Sequence, residues 1–431
     1  MEKTTDHCRE PSLRQALLVW GRIGLLSFGG PAAQIALMHK VVVDEKRWLS
    51  EKEYLNALSF CMLLPGPEAM QLATYAGWRL HGVIGGLAAG LLFVIPGAIV
   101  ILALATLYSI VGDVPLVTAL FLGIKAAVIV IVIEALLRVA KKALHGRVHW
   151  CIAAAAFVGI FFLNLPFPLI ILIAGLTGFF IGQGTADETA SASQPAKRQW
   201  LATIGTVVIW LALWWVPLLA MKAFNAPVIL LELGKFFSTL AVVTFGGAYA
   251  VLAYLAQDVV NQFGWLSTGE MMDGLGLAET TPGPLILVTE FVGFIAAFRE
   301  GGFWLGLAGA AVTLWVTFIP CFLWIFAGAP YIDRLAEQAR LRGALSSITA
   351  AVVGVILNLS LWFALHVFFD SVENQRIGVF SFWAPVWGSI NWLVVALTGF
   401  CAWLAFGLHW GIGRILLVAA LLGFLLQRFV F

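Results

Sequence analysis

Two short glycine and proline motifs occur twice in this chain at one spacing. Phe28-Gly29-Gly30 returns as Phe245-Gly246-Gly247, and Pro65-Gly66-Pro67 returns as Pro282-Gly283-Pro284, both 217 positions later (245 − 28 and 282 − 65). Such residues do chemistry through the backbone. A helix that restarts after a break presents unpaired N–H groups and roughly half a positive charge, so it holds an anion without arginines. Gly29-Gly30 and Gly246-Gly247 admit backbone conformations closed to other residues. Pro31 opens the next half-helix, whereas Ala248 stands there in the second copy. The two prolines of each Pro-Gly-Pro lack N–H donors, clash with the preceding turn and stop a helix. Pro67 and Pro284 then suit the first position of a new helix. Four converging starts would supply about two positive charges, a match for a small dianion. The bland alternative is that the glycines permit close packing and the prolines only kink.

Side chains beside the breaks extend this candidate site. Gln34 and Gln71 fall about one turn into their half-helices, where amide donors reach an oxyanion, and Thr280 and Thr281 stand beside the second Pro-Gly-Pro. The expected substrate site is therefore Gly29, Gly30, Pro31, Gln34, Pro65, Gly66, Pro67, Glu68, Gln71, Lys125, Gly246, Gly247, Thr281, Pro282, Gly283 and Pro284. Arg22 is an electrostatic attractor or an interfacial residue. Ionisable groups inside apolar runs point to function. Lys125 and Glu134 are nine residues apart, on opposite faces of one helix, so they do not pair directly. Glu134 with Arg138 is the alternative, a helix-end ion pair, and Lys125 alternatively snorkels. A carboxylate beside an anion site repels substrate when ionised and admits it when protonated. Glu68, Glu134, Glu279 and Glu290 are the candidates for such coupling, with a first-turn helix role as the alternative for Glu68. No His, Asp or Cys grouping has metal or catalytic spacing, so no metal and no cofactor is expected. The protein is read as no enzyme; an intramembrane enzyme acting on lipid phosphates is the competing class.

The elements that position these residues are membrane helices. The chain is 61% hydrophobic and 11% charged, far from soluble domains. A net charge of +2 argues for no nucleic acid. A span takes roughly 17–25 apolar residues. Apolar segments fall near 12–39, 54–78, 83–111, 115–138, 148–164 and 166–182, then Trp200–Met221, then 227–256, 271–298, 302–329, 343–369, 383–407 and 411–430. In the pairs 148–164/166–182 and 383–407/411–430, tight hairpins are the alternative to full spans. The fold class is thus all-α and polytopic, with about 13 transmembrane segments. They form two six-helix repeats (1–182 and 227–431) joined by a polar linker and one linking helix (183–226). The odd helix inverts the second repeat, the arrangement of many secondary transporters. Lys and Arg at Arg138, Lys141, Lys142, Arg147, Lys197, Arg198, Arg334, Arg340 and Arg342 put the N-terminus in the cytoplasm and the C-terminus outside, against Lys40, Lys46, Arg47 and Lys52. Ser50-Glu51-Lys52-Glu53 and Ser267-Thr268-Gly269-Glu270 have capping-box form, which starts a helix at the same point in both repeats. Across residues 28–67 and 245–284, 15 of 40 positions are identical, which rules out chance matching of apolar residues.

The ordered set Phe28-Gly29-Gly30-Pro31-Ala32-Ala33-Gln34, Leu64-Pro65-Gly66-Pro67-Glu68-Ala69, Phe245-Gly246-Gly247-Ala248-Tyr249 and Thr281-Pro282-Gly283-Pro284 resembles the chromate ion transporter family. The likeness is to its long form with two homologous halves, and it runs from about Leu13 to the C-terminal helices. It implies export of chromate across the bacterial inner membrane and resistance to chromate. Sulfate, a tetrahedral dianion of similar size, is the implied competitor. Transport of sulfate or another oxyanion, including import, is the alternative. The second Phe-Gly-Gly often carries a further glycine in that family, where this chain has Ala248. The expected partners are the oxyanion, the bilayer and a second copy in a homodimer, and the expected mechanism is alternating access.

Overall fold

Ser12 and Gln15 close a capping box that starts α1 (Leu13–Leu26), and the chain breaks at Ser27–Gly29. The computed structural model describes residues 11–111, 114–181, 197–245, 248–332, 338–378 and 380–430. After the break, α2 (Gly30–His39) continues into a π turn, Lys40–Glu45. The Ser50–Glu53 capping box starts α3 (Glu51–Cys61). The Pro-Gly-Pro follows, then α4 (Glu68–Val111), which is itself turned back at His81–Gly82, where Gly82 has φ +60°.

The expected span 54–78 is not a straight rod. Arg79, just before that turn, lies 3.4 Å from Glu53 at the start of α3. The chain must therefore fold back at Pro65-Gly66-Pro67. The 11 residues of α3 measure about 16 Å, half of a hydrocarbon core of about 30 Å. The expected segment 12–39 folds back too. His81 Nε2 lies 2.9 Å from the Pro11 carbonyl oxygen, and His39 Nε2 lies 2.7 Å from the Glu51 carboxylate. The Trp20 and Trp48 rings are 6.4 Å apart. The start of α1, the end of α2, the start of α3 and the turn in α4 thus share one level. Phe28-Gly29-Gly30 and Pro65-Gly66-Pro67 form the tips of two helical hairpins.

The second half repeats this. After α5 (Pro115–Ala143), α6 (Arg147–Phe161), α7 (Phe167–Ile181) and α8 (Lys197–Ala223) come α9 (Val228–Val243), α10 (Ala248–Gln257) with a π turn Asp258–Gln262, α11 (Thr268–Thr280) and α12 (Val288–Gly328). Arg299 bonds both Glu270 and the Trp265 carbonyl, as Arg79 meets Glu53. Phe237 and Trp265, at 6.5 Å, repeat Trp20 and Trp48 at the offset of 217. The expected segment 271–298 is therefore again two short helices, and α12 turns back at Gly301–Gly302 (φ +72° at Gly302). The two parts of α4 pack side by side through Gly77 and Gly85, where a Cβ on either would overlap the other's carbonyl oxygen. Gly293 and Gly309 do the same in α12. Small residues that let helix backbones touch take over in lipid, where apolar burial drives little helix association.

Among the described residues, five helices are long and apolar enough to cross a membrane by length and composition; in α4 and α12 the long part follows the turn. The last of them is α13 (Ala339–Phe368). Helices α6 and α7, with 15 residues each, are joined by a tight turn in which Leu165 N–H reaches the Gly159 oxygen. This α6–α7 pair packs on α13 of the second half. The final pair, α14 (Trp392–Ala402, continuing to Gly407) and α15 (Ile412–Val430), packs on α5 of the first half. Gly354 lies against the Ala153 carbonyl, Gly178 against that of Gly343, and Gly123 against that of Ala419. Each half thus braces the long helix of the other.

One segment differs in type. Residues 383–385, read as the start of a helix, belong to an antiparallel hairpin, β1 (Val372–Ile377) with β2 (Phe380–Pro385), in register Val372↔Pro385. Alternating polar and aromatic residues favour strand there, and Pro385 ends it. The helix begins only at Trp392, capped by Asn391. Linker residues 183–196 and Arg334 lie outside the described residues.

Candidate substrate site

The four hairpin tips meet. Gly66 N–H donates to the Thr244 oxygen at 2.8 Å, and Gly283 N–H donates to the Ser27 oxygen at 2.9 Å. Ser27 and Thr244, like Gly66 and Gly283, are 217 residues apart, so the two bonds are copies of one contact. Each joins the Pro-Gly-Pro of one half to the residue preceding Phe-Gly-Gly in the other. Contact of i with j′ and of i′ with j is what a two-fold relation produces. The glycines are required: φ is +120° at Gly66 and +89° at Gly283, values that L side chains rarely adopt. Behind them, Cys321 lies against Gly66 and Gly97 against Gly283 and the Pro282 carbonyl. Pro65, Pro67, Pro282 and Pro284 flank these glycines, Pro67 and Pro284 one residue before the first helical turn.

The expected glutamines are at the tips, but as clasps. Gln34 Nε2 donates to the Gly283 oxygen (2.6 Å) and the Ser27 oxygen (3.3 Å), so both amide hydrogens hold backbone. Gln71 Nε2 donates to the Pro65 oxygen at 2.7 Å. Their carbonyl oxygens are buried and have no partner among the described residues. Thr280 and Thr281 bond carbonyls three residues back, Leu277 and Ala278.

The half-helix starts are unequal. Gly29, at φ +85°, precedes α2 with no side-chain cap, and Pro31 sits in the first turn. In the second half Gly246 and Gly247 lie outside the described residues. After the first Pro-Gly-Pro, α4 starts directly at Glu68. After the second, a three-residue 3₁₀ turn, Leu285–Leu287, intervenes and is fully buried. The offset becomes 220 there (288 − 68), so Glu68 corresponds to Val288 and Gln71 to Phe291. Glu68 and Gln71 thus have apolar counterparts in the second half.

Charged groups gather around α5. Tyr249 OH donates to Glu279 Oε1 at 2.8 Å, and that hydroxyl is the group nearest to where a side chain on Gly30 would begin, 4.0 Å away. Glu134 and Arg138, bonded to each other at 2.6 Å, act electrostatically on Glu279. Lys142 acts on Glu68. Glu290 is 1% exposed, and its Oε2 has no partner among the described residues. Lys125 lies 3.3 Å from Asp273 Oδ1, whose other oxygen accepts from Tyr108 OH at 2.9 Å. Lys125 and Glu134 do have separate partners, as their spacing implies. Arg22 is exposed. Sequence reasoning passed over Asp273 and Tyr249. Asp273 was findable, being the lone charge in Met271–Ala278, by the test that singled out Lys125.

Half-helices whose tips meet, with apolar helices long enough to cross a membrane around them, belong to a helical membrane protein, and the family match below makes it a transporter and not an enzyme. The chain belongs to the chromate transporter family, whose model matches residues 14–179 and 231–425. The chromate transport protein of Pseudomonas aeruginosa is 33% identical over 425 residues, 94% of this chain and 95% of that one. That of Cupriavidus metallidurans is 29% identical, covering 80% and 81%. An uncharacterized transporter of Methanocaldococcus jannaschii is 27% identical, covering 92% and 94%. No solved structure matches the chain at comparable significance.

Proposed function

We propose that this protein exports chromate across the bacterial inner membrane by alternating access between two inverted repeats. The observation that supports the reading is the pair of symmetric bonds, Gly66 to Thr244 and Gly283 to Ser27, which joins each Pro-Gly-Pro to the residue before the Phe-Gly-Gly of the other half. The half-helix starts at Gly30 and Glu68 supply the N–H groups and partial positive charge for the anion; Lys125 stands apart from them, beside Gly269 at the start of α11 and 3.3 Å from Asp273. Two relatives named for chromate transport support the choice of oxyanion. Sulfate, isosteric with chromate, is the second reading. Outward movement of a dianion from a negative-inside cell gains about 4.6 kcal/mol per 100 mV, so the potential alone suffices to drive it. In cells producing the protein at normal membrane levels, chromate accumulation should fall and tolerance rise; unchanged accumulation would reject export.

In the proposed topology the thirteen apolar segments are four re-entrant hairpins and nine crossings, the five long helices plus four shorter ones. Five crossings separate the hairpins of the first repeat from those of the second, so they enter from opposite sides. The N-terminus is cytoplasmic and the C-terminus outside. Single cysteines placed at the exposed Glu45 and Gln262, in the loops around Trp48 and Trp265, should react with impermeant reagents from opposite faces; labelling from one face would refute inversion.

Glu279, beside Gly30 and held by Tyr249, is the foremost of the four proposed coupling carboxylates; Glu68, Glu134 and Glu290 are the others. Glu279→Gln holds the site in its uncharged form, so flux should become nearly independent of pH while Tyr249 keeps a partner. A variant with the wild-type pH profile would remove Glu279 from coupling.

A further inference from the structure

A cavity of about 700 Å³ opens between the α6–α7 turn of the first half, the end of α10, the middle of α13 and the β-hairpin. It lies away from the tips, at the far end of α10, and both halves line it. Its chemistry is donor-rich. Trp362 is 5% exposed and its indole N–H has no partner among the described residues; an indole N–H can only donate. Asn358, one turn earlier on α13, is 8% exposed. Asn164 and Asn374 already have their oxygens occupied, by Gln257 Nε2 (3.3 Å) and by Ser381 Oγ (2.8 Å), so each offers its NH₂ group. No lysine or arginine is among the lining residues. The single carboxylate among the described lining residues is Asp258, whose oxygens accept and do not donate when ionised.

Resting on the oxyanion-transporter reading, we infer that this cavity is a second, peripheral oxyanion subsite, and that Asp258 selects there for an oxyanion that carries a proton. Neutral N–H donors surround the oxygens of a tetrahedral anion, and one acceptor is set among them. An ionised carboxylate takes a hydrogen bond from a protonated oxyanion such as hydrogen chromate, and it repels an anion that has no hydrogen to give. Chromate is partly protonated near neutral pH, whereas sulfate is fully ionised. The two are nearly the same size, so shape alone separates them poorly. A repulsive element of this kind is the usual source of discrimination between isosteres, and a buried acceptor left unpaired by the wrong ligand sharpens it. Binding without a cation stays weak enough for release.

Exchange of labelled chromate in oriented membrane vesicles tests this, with anions added at the face that carries the β-hairpin. In the wild type, sulfate should inhibit chromate exchange poorly from this face. In Asp258→Asn, which keeps the shape and removes the charge, the sulfate concentration giving half inhibition should fall by roughly tenfold, about 1.4 kcal/mol of lost discrimination. Trp362→Phe should raise the half-saturation for chromate and for sulfate alike. Asn374→Ala, on the exposed hairpin, should raise both more modestly. Unchanged sulfate discrimination in Asp258→Asn, with wild-type half-saturation in Asn374→Ala, would overturn the subsite. A wild-type protein that exchanges no oxyanion from either face would instead overturn the transporter reading itself.

Discussion

Gly30→Leu is expected to lower chromate flux by about a hundredfold while leaving the protein in the membrane. Gly30 has φ +78°, and the space beside it is open, with the Tyr249 hydroxyl 4.0 Å from the would-be Cβ. The substitution therefore meets no packed neighbour. It costs about 1–2 kcal/mol of backbone strain and puts a branched side chain over the N–H groups that start α2. A hundredfold loss corresponds to about 2.7 kcal/mol, within reach of losing two hydrogen bonds to a charged ligand. Flux per molecule measured at matched expression decides the matter. Wild-type flux would make the glycine tips packing devices only.

The second large effect concerns Lys125 and Asp273. Asp273 is buried between α5 and α11, with Lys125 half-buried beside it and Tyr108 also holding it. Lys125→Gln leaves a carboxylate buried without its cation, and breaking such a pair costs about 3–5 kcal/mol. The single variant should unfold several degrees lower in detergent and accumulate poorly. Lys125→Gln with Asp273→Asn should recover most of the loss, because a neutral pair of amides bonds in the same place. If the single variant kept wild-type stability yet lost affinity for the anion, Lys125 would be a substrate contact and its bond to Asp273 incidental.

Local rules made much of this molecule legible beforehand. The repeat, both capping boxes and all four breaks follow from Ser50, Ser267, the paired glycines and the Pro-Gly-Pro motifs, because each acts on its own turn of chain. The direction taken after a break was not legible. Residues 54–78 read as one apolar run whether the two pieces continue in line or fold back, and the pairing of Arg79 with Glu53 that reveals the fold-back is across the hairpin, not along it. Apolarity likewise hid the turn Leu285–Leu287, three residues that look like more helix yet shift the offset from 217 to 220. That shift is why Glu68 has Val288 as its counterpart. The roles of Gln34 and Gln71 were beyond reach for a similar reason: Gln34 grips the Gly283 carbonyl, 249 residues away. The β-hairpin was missed because Phe380-Ser381-Phe382-Trp383 is as apolar as a membrane segment and only its alternation marks a strand.

The central claim, one anion site built from four converging tips in an outward transporter of dianions, is most directly tested in inverted membrane vesicles. Labelled chromate is added outside, and an interior-positive potential is imposed independently of pH. The account predicts saturable uptake that rises with the potential and is lost in Gly30→Leu. Uptake no greater than in vesicles lacking the protein, or uptake equal in the wild type and Gly30→Leu, would contradict it.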